Sequence, residues 1–99
     1  MRMARREKKP HTMDIYKAIL TLESEEECFA FFKDVCSETE MLAMEQRFNV
    51  AEMLDEGKTY LDIQESTNAS TATISRVGRV LSDGTGTVGN VLKKTRKES

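Results

Sequence analysis

Ninety-nine residues suit one compact domain with a modest core, so association with a second copy would help the chain bury its apolar side chains. A low apolar fraction (38%) and a high charged fraction (32%) leave no run near the ~18 apolar residues of a membrane span. The basic N-terminus lacks the apolar segment of a secretory signal, so the expected location is the cytoplasm.

The net charge of −2 conceals an uneven distribution. Residues 1–10 carry Arg2, Arg5, Arg6, Lys8 and Lys9 against Glu7, and residues 93–99 carry Lys93, Lys94, Arg96 and Lys97 against Glu98. The ends therefore hold +4 and +3, and the remainder −9. Basic ends on an acidic protein can still meet phosphate, or they can simply be solvated. The organisation read from this pattern is a flexible basic arm over 1–12, a helical domain over 13–92 and a basic tail over 93–99.

In chain order, Pro10 marks the end of the arm. Residues 13–22 place Ile15, Ala18, Ile19 and Leu22 on one helical face. Ser24 followed by Glu27 has the capping-box spacing and opens a second helix, to about Cys36. Its apolar residues, Cys28, Phe29, Phe31, Phe32, Val35 and Cys36, cover too much of the surface for a lone small monomer, and a second subunit is the simplest cover. Within one helix, Cys28 and Cys36 would stand roughly 12 Å apart, too far for a disulfide, and read as buried thiols. Ser37 and Glu40 repeat the capping pattern. The third helix then runs to about Glu56 with Met41, Met44, Phe48, Ala51 and Leu54 at helical spacing, and Gly57 stops it.

Residues 59–82 read as two short helices joined by a tight turn. Ile63, Ile74 and Val77 are spaced to pack one helix on the other. Asn68 stands at the reversal, where a left-handed backbone is needed, and Ser70 or Thr71 can cap the helix that follows. With Ile74 and Val77 turned inward, Thr71, Ala72, Thr73, Ser75, Arg76 and Arg79 point elsewhere, and no acid occurs from Ser70 to Leu81. Small hydroxyl, methyl and guanidinium groups at the start of a second helix are what a helix-turn-helix offers to the major groove. A helical hairpin with an ordinary polar face has the same spacing. Gln64 departs from the alanine common at that position of such motifs. After Asp83, Gly84, Gly86 and Gly89 loosen the chain, and Val88, Val91 and Leu92 can form one short final helix. No segment alternates as a strand would.

Catalytic and metal chemistry have no foothold in this pattern. There is no nucleophile-elbow, Walker or zincin motif, the single His11 lies in the arm, and the cysteines form no CxxC pair. Glu25, Glu26 and Glu27 sit at a helix start, where carboxylates favour the dipole. The run Asp83–Gly86 is too short for a phosphate cradle, and the six methionines read as core filler. No cofactor is expected.

The segments EECFAFFKDVCSETEM, EQRFNVAEMLDEGKTYLDI and ASTATISRV resemble the Trp-repressor superfamily, and within it the YerC/YecD group. The third is the most specific, and the basic ends and the glycine-rich stretch match least. The resemblance implies an all-helical, intertwined homodimer with two reading heads. It implies DNA contacts at Thr71, Ala72, Thr73, Ser75 and Arg76. It also matches Arg47 and Arg76 to two arginines that flank bound tryptophan, with Ser37 in place of a threonine near the ligand's amino group. Val77 and Val80, however, stand where the family has a glycine and a serine, and the link after Gly57 is one residue shorter. Arg47 could alternatively pair with Glu40 or Glu45.

These readings converge on an all-α, homodimeric, cytoplasmic regulator that binds double-stranded DNA in a sequence-specific manner and associates with the nucleoid when bound. Ser70, Thr71, Ala72, Thr73, Ser75, Arg76, Arg79 and Lys58 are its expected DNA contacts. It would catalyse no reaction, use no tryptophan corepressor and touch no membrane. The rival is a helical protein-interaction module without DNA binding.

Overall fold

The computed structural model describes residues 10–98 and contains, among them, six helices and no strand. The basic arm expected over 1–12 therefore falls mostly outside the described residues. The chain falls into two compact units, one running through Val35 and one beginning at Cys36.

The first unit holds α1 (Asp14–Ile19) and α2 (Glu25–Val35). α1 is shorter than its apolar spacing suggests. The Thr21 and Leu22 N–H groups bond to carbonyls three residues back, Ala18 and Ile19, and the Thr21 hydroxyl also donates to Ala18, which closes the helix early. At the start of α2, Ser24 Oγ accepts the Glu27 N–H at 3.0 Å. The Glu27 carboxylate accepts from the Glu23 N–H at 2.8 Å, one residue further back than a standard capping box. Phe31 and Phe32 meet edge to face with ring centroids 5.5 Å apart, while Phe29 remains 55% exposed. No described residue of this unit is fully buried. Cys28 here and Cys36 in the second unit are free thiols and only half-buried, in contrast to the buried thiols expected, because α2 has no core of its own to enclose Cys28 and ends before Cys36.

The second unit holds α3 (Glu38–Asp55), α4 (Tyr60–Thr67), α5 (Thr71–Asp83) and α6 (Thr87–Glu98). Its helix ends are settled by local chemistry. Ser37 forms the full capping box with Glu40: Ser37 Oγ accepts the Glu40 N–H at 3.1 Å, and Glu40 Oε1 accepts the Ser37 N–H at 2.7 Å. The Ser37 N–H, and then its hydroxyl, hold the Glu40 carboxyl below its ordinary pKa. At the other end of α3, Gly57 adopts φ +85°. The Gly57 and Lys58 N–H groups bond to Leu54 and Met53, which is the Schellman arrangement. Asn68 takes the left-handed conformation (φ 63°) expected at the reversal between α4 and α5.

α3 is apolar on more than one side and packs against α4, α5 and α6. Val50, Ile63 and Ile74 are fully enclosed, with Ala51, Ala69, Val77 and Leu92 completing the core. Met44 and Phe48, expected inside by spacing, are more than a third exposed, and Val50 takes the central position instead. α6 is longer than the short helix expected. Leu92 is 2% exposed and Arg96 forms a salt bridge with Asp55 of α3, so Lys93 and Lys94 stand on a packed helix rather than in a tail. Gly84 ends α5 with its N–H on the Val80 carbonyl, and a Cβ there would come within 2.5 Å of that oxygen. Gly78 lies mid-α5, where a Cβ would meet only Leu54 at 3.8 Å.

Candidate nucleic-acid interface

α5 is capped by Ser70, whose Oγ accepts the Thr73 N–H at 3.1 Å and whose hydroxyl donates to Thr73 Oγ1 at 3.1 Å. Ser70 is thus engaged within its own chain. The Thr73 hydroxyl proton is left available, because Thr73 Oγ1 is the acceptor in that bond. Ile74 and Val77 turn into the core, which leaves Thr71, Ala72, Arg76 and Arg79 exposed and Thr73 and Ser75 half-buried. No acid occupies the first turn of α5, so the positive end of the helix is uncompensated there. Gln64 is half-buried and does not prevent α4 from meeting α5, because Ile63 carries the packing.

Two residues of this region gave no signal in the sequence. Tyr60, at the start of α4, brings its hydroxyl to 3.4 Å from Ser75 Oγ, which puts the entrance of α4 beside the middle of α5. The Gln46 side chain donates to the Thr67 carbonyl at 3.0 Å and ties α3 to the end of α4. Both contacts join residues distant in sequence, and no local spacing announces them. Lys58 is exposed, with its N–H used in the Schellman turn.

Two clefts of the second unit border these residues. One, of about 280 Å³, is apolar and lies among Met44, Phe48, Val77, Val80, Leu81 and Val88 with Arg47 at its edge. Val77 is 7% exposed and belongs to the core. The other, of about 490 Å³, is polar and is lined by Ala43, Gln46 and Arg47 of α3 and Thr73 and Arg76 of α5. Arg47 and Arg76 line this cleft together, whereas Ser37 does not and is occupied as the cap of α3. Among the described residues Arg47 forms no ion pair with Glu40 or Glu45. Glu45 lies two positions away, on another side of the helix, and Glu40 two turns away. The residues that do face Arg47 along α3 are Ala43, Met44, Val50 and Ala51.

Two short packed helices, an Asn-centred left-handed turn between them and a capped, amphipathic second helix define a helix-turn-helix protein. Residues 11–96 match the Trp repressor protein family, and the chain belongs to that family. It is 50% identical over 70 residues to the uncharacterized protein YerC of Bacillus subtilis (strain 168), covering 71% of this chain and 67% of that one. It superimposes with a TM-score of 0.81 on the crystal structure of a TrpR-like protein from Eubacterium eligens ATCC 27750, at 49% identity over 83% of this chain and 84% of the other. A candidate Trp repressor from Staphylococcus aureus gives a TM-score of 0.81 at 43% identity over 84% and 83%. The family is one of regulators rather than enzymes, and membership points to a DNA-binding regulator. No helix of the described residues is long and apolar enough to cross a membrane.

Proposed function

We propose that the protein is a sequence-specific, homodimeric transcription regulator of the cytoplasm that reads double-stranded DNA with α5. The observation that carries this reading is a capped helix with no acid from Ser70 to Leu81, with Thr71, Ala72 and Arg76 exposed at its start and Thr73 and Ser75 beside them. Arg76 can pair with guanine, the threonine and alanine methyls can touch thymine, and Arg79 and Lys58 can hold phosphates. The homodimer is supported by the apolar surface of α2, which no neighbour within its own unit encloses. Selection of bound sites from a random DNA library tests the reading. A defined site should emerge, and Arg76→Ala and Thr73→Ala should each lose roughly 1–3 kcal/mol of discrimination at that site, with less effect on non-specific DNA. An unselective library, or intact site preference in both variants, would leave the interaction module as the better account.

Tryptophan is not the effector in this reading. Support comes from branched Val77, packed into the core, and Val80, on the apolar cleft, which stand where the resemblance has a glycine and a serine. Overfilling such a site costs about 1–3 kcal/mol. DNA binding should need no added amino acid, and calorimetry with excess tryptophan should show no saturable heat.

A further inference from the structure

We infer that Ser70 commits the Thr73 hydroxyl to donating. The base that Thr73 meets must then present an acceptor in the major groove, and cytosine is disfavoured at that position. The inference rests on the DNA-reading proposal and deepens it, from the helix that reads to the kind of base edge one residue accepts. A threonine hydroxyl has one proton and can ordinarily face a donor or an acceptor, which makes it a poor discriminator. Thr73 has lost that freedom. As the cap of α5, Ser70 Oγ accepts the Thr73 N–H at 3.1 Å, and the Ser70 proton points to Thr73 Oγ1, also at 3.1 Å. The Thr73 proton cannot return along the same line. Ser70 is thus a positioning residue, acting through Thr73 rather than on the DNA.

Among the described residues, no other group takes the Thr73 proton. Hydroxyls elsewhere on the helices return theirs to a carbonyl about one turn back: Thr67 to Ile63 at 2.7 Å, Ser82 to Gly78 at 3.2 Å and Thr95 to Leu92 at 3.0 Å. A hydroxyl that already accepts a bond is also polarised into a stronger donor. Ser75, on the same helix, keeps a choice, because it lies 3.4 Å from the Tyr60 hydroxyl and either oxygen can donate. Thr73 stands in the first turn of α5, the part of a reading helix that meets base edges. In the major groove guanine, adenine and thymine each offer an acceptor, whereas cytosine offers only its amino group. A cytosine that used the remaining lone pair of Thr73 Oγ1 would leave the Thr73 proton unpaired in a closed interface, which is the costly outcome.

The test is selection from a random DNA library with wild type, Thr73→Val, Ser70→Thr, Ser70→Gly and Ser70→Asp, with circular dichroism checking that each folds. Thr73→Val locates the position that Thr73 reads, because that position alone should lose its preference. Wild type should disfavour cytosine there by roughly two- to tenfold, the worth of one hydrogen bond. Ser70→Thr keeps a capping hydroxyl and should keep the preference. Ser70→Gly frees the Thr73 hydroxyl to turn, and cytosine should rise towards parity. Ser70→Asp still caps the helix but has no proton to give. The Thr73 hydroxyl should then donate to the carboxylate and offer its lone pairs to the groove, so that cytosine becomes favoured. The added negative charge should weaken binding to all sequences alike and leave their ranking to report on Thr73. A serine that serves only as a cap would leave the ranking intact in Ser70→Asp, and that result overturns the inference while the DNA-reading proposal stands. A wild type that prefers cytosine at the located position overturns it too, as does Thr73→Val with no positional effect. If wild type selects no site, the DNA-reading proposal itself fails and the inference fails with it.

Discussion

The unit of α1 and α2 has the larger share of apolar side chains, yet the unit of α3 to α6 has all the fully buried ones among the described residues. In the second unit, Val50, Ile63 and Ile74 are fully enclosed by helices of the same unit. In the first, three phenylalanines and two isoleucines yield no fully buried residue, and Leu20 is 85% exposed. Apolar content alone therefore does not make a core. Three helices arranged around a fourth can close on their own side chains, whereas two short helices cannot. The second unit has the makings of an independent reading head, and the first has those of an assembly element whose apolar faces need cover from outside.

The sharpest way to break this contrast is Phe32→Glu. A carboxylate on the half-buried apolar side of α2 should abolish dimerisation, which sedimentation would read as a monomer, while amide-exchange protection around Ile63 and Ile74 persists. With one head in place of two, the salt dependence of DNA binding should fall by half. A wild type that already sediments as a monomer at micromolar concentration would remove the assembly role of α2. Next in size is Ile74→Ala, which should lower the unfolding free energy of the head by about 2–5 kcal/mol in denaturant titration, since the site is completely enclosed. A loss below ~1 kcal/mol would show that the head has no tight core and that the two units differ less than their burial suggests.

The smallest effect concerns the capping box where the second unit begins. Ser37→Ala should cost about 1 kcal/mol. Glu40→Gln should act through pH. The folded-state pKa of Glu40 is lowered, so its contribution to stability is complete above the ordinary carboxylate range and disappears as pH falls through the folded value. The stability gap between wild type and Glu40→Gln should therefore be present at neutral pH and close in acid. A gap that widens in acid would show that Glu40 is not stabilised as the anion.

What is legible in the sequence is whatever chemistry is local. Ser37 with Glu40, Gly57, Asn68 and Ser70 mark helix ends within four residues of the groups they satisfy, and each occupies its expected end. The inward turn of Ile63, Ile74 and Val77 follows from helical spacing and is equally readable. Long-range choices are not. Periodicity does not rank Val50 above Phe48, because α3 has apolar residues on several sides and only its neighbours decide which are enclosed. The pairing of Arg96 with Asp55 joins residues 41 apart, so composition makes a tail of what is a packed helix. At the interface, the reading-face residues lie on one helix and are visible, while Tyr60, Gln46 and the isolation of Arg47 emerge only when helices meet.

α5 itself is assembled from poor helix formers. Thr71, Thr73, Ile74, Val77 and Val80 are β-branched, and Gly78 sits in the middle, where an alanine would meet nothing closer than 3.8 Å. Such a segment has little helical tendency in isolation. Its shape is maintained by the Ser70 cap and by the anchoring of Ile74 and Val77. Loss of those anchors would act directly on the helix proposed to read DNA, so the shape of that face is tied to the core shared with α3, α4 and α6. A helix so composed borrows its order from its neighbours, and Gly78→Ala, by stiffening one turn where a Cβ meets only Leu54 at 3.8 Å, should raise the midpoint of thermal unfolding.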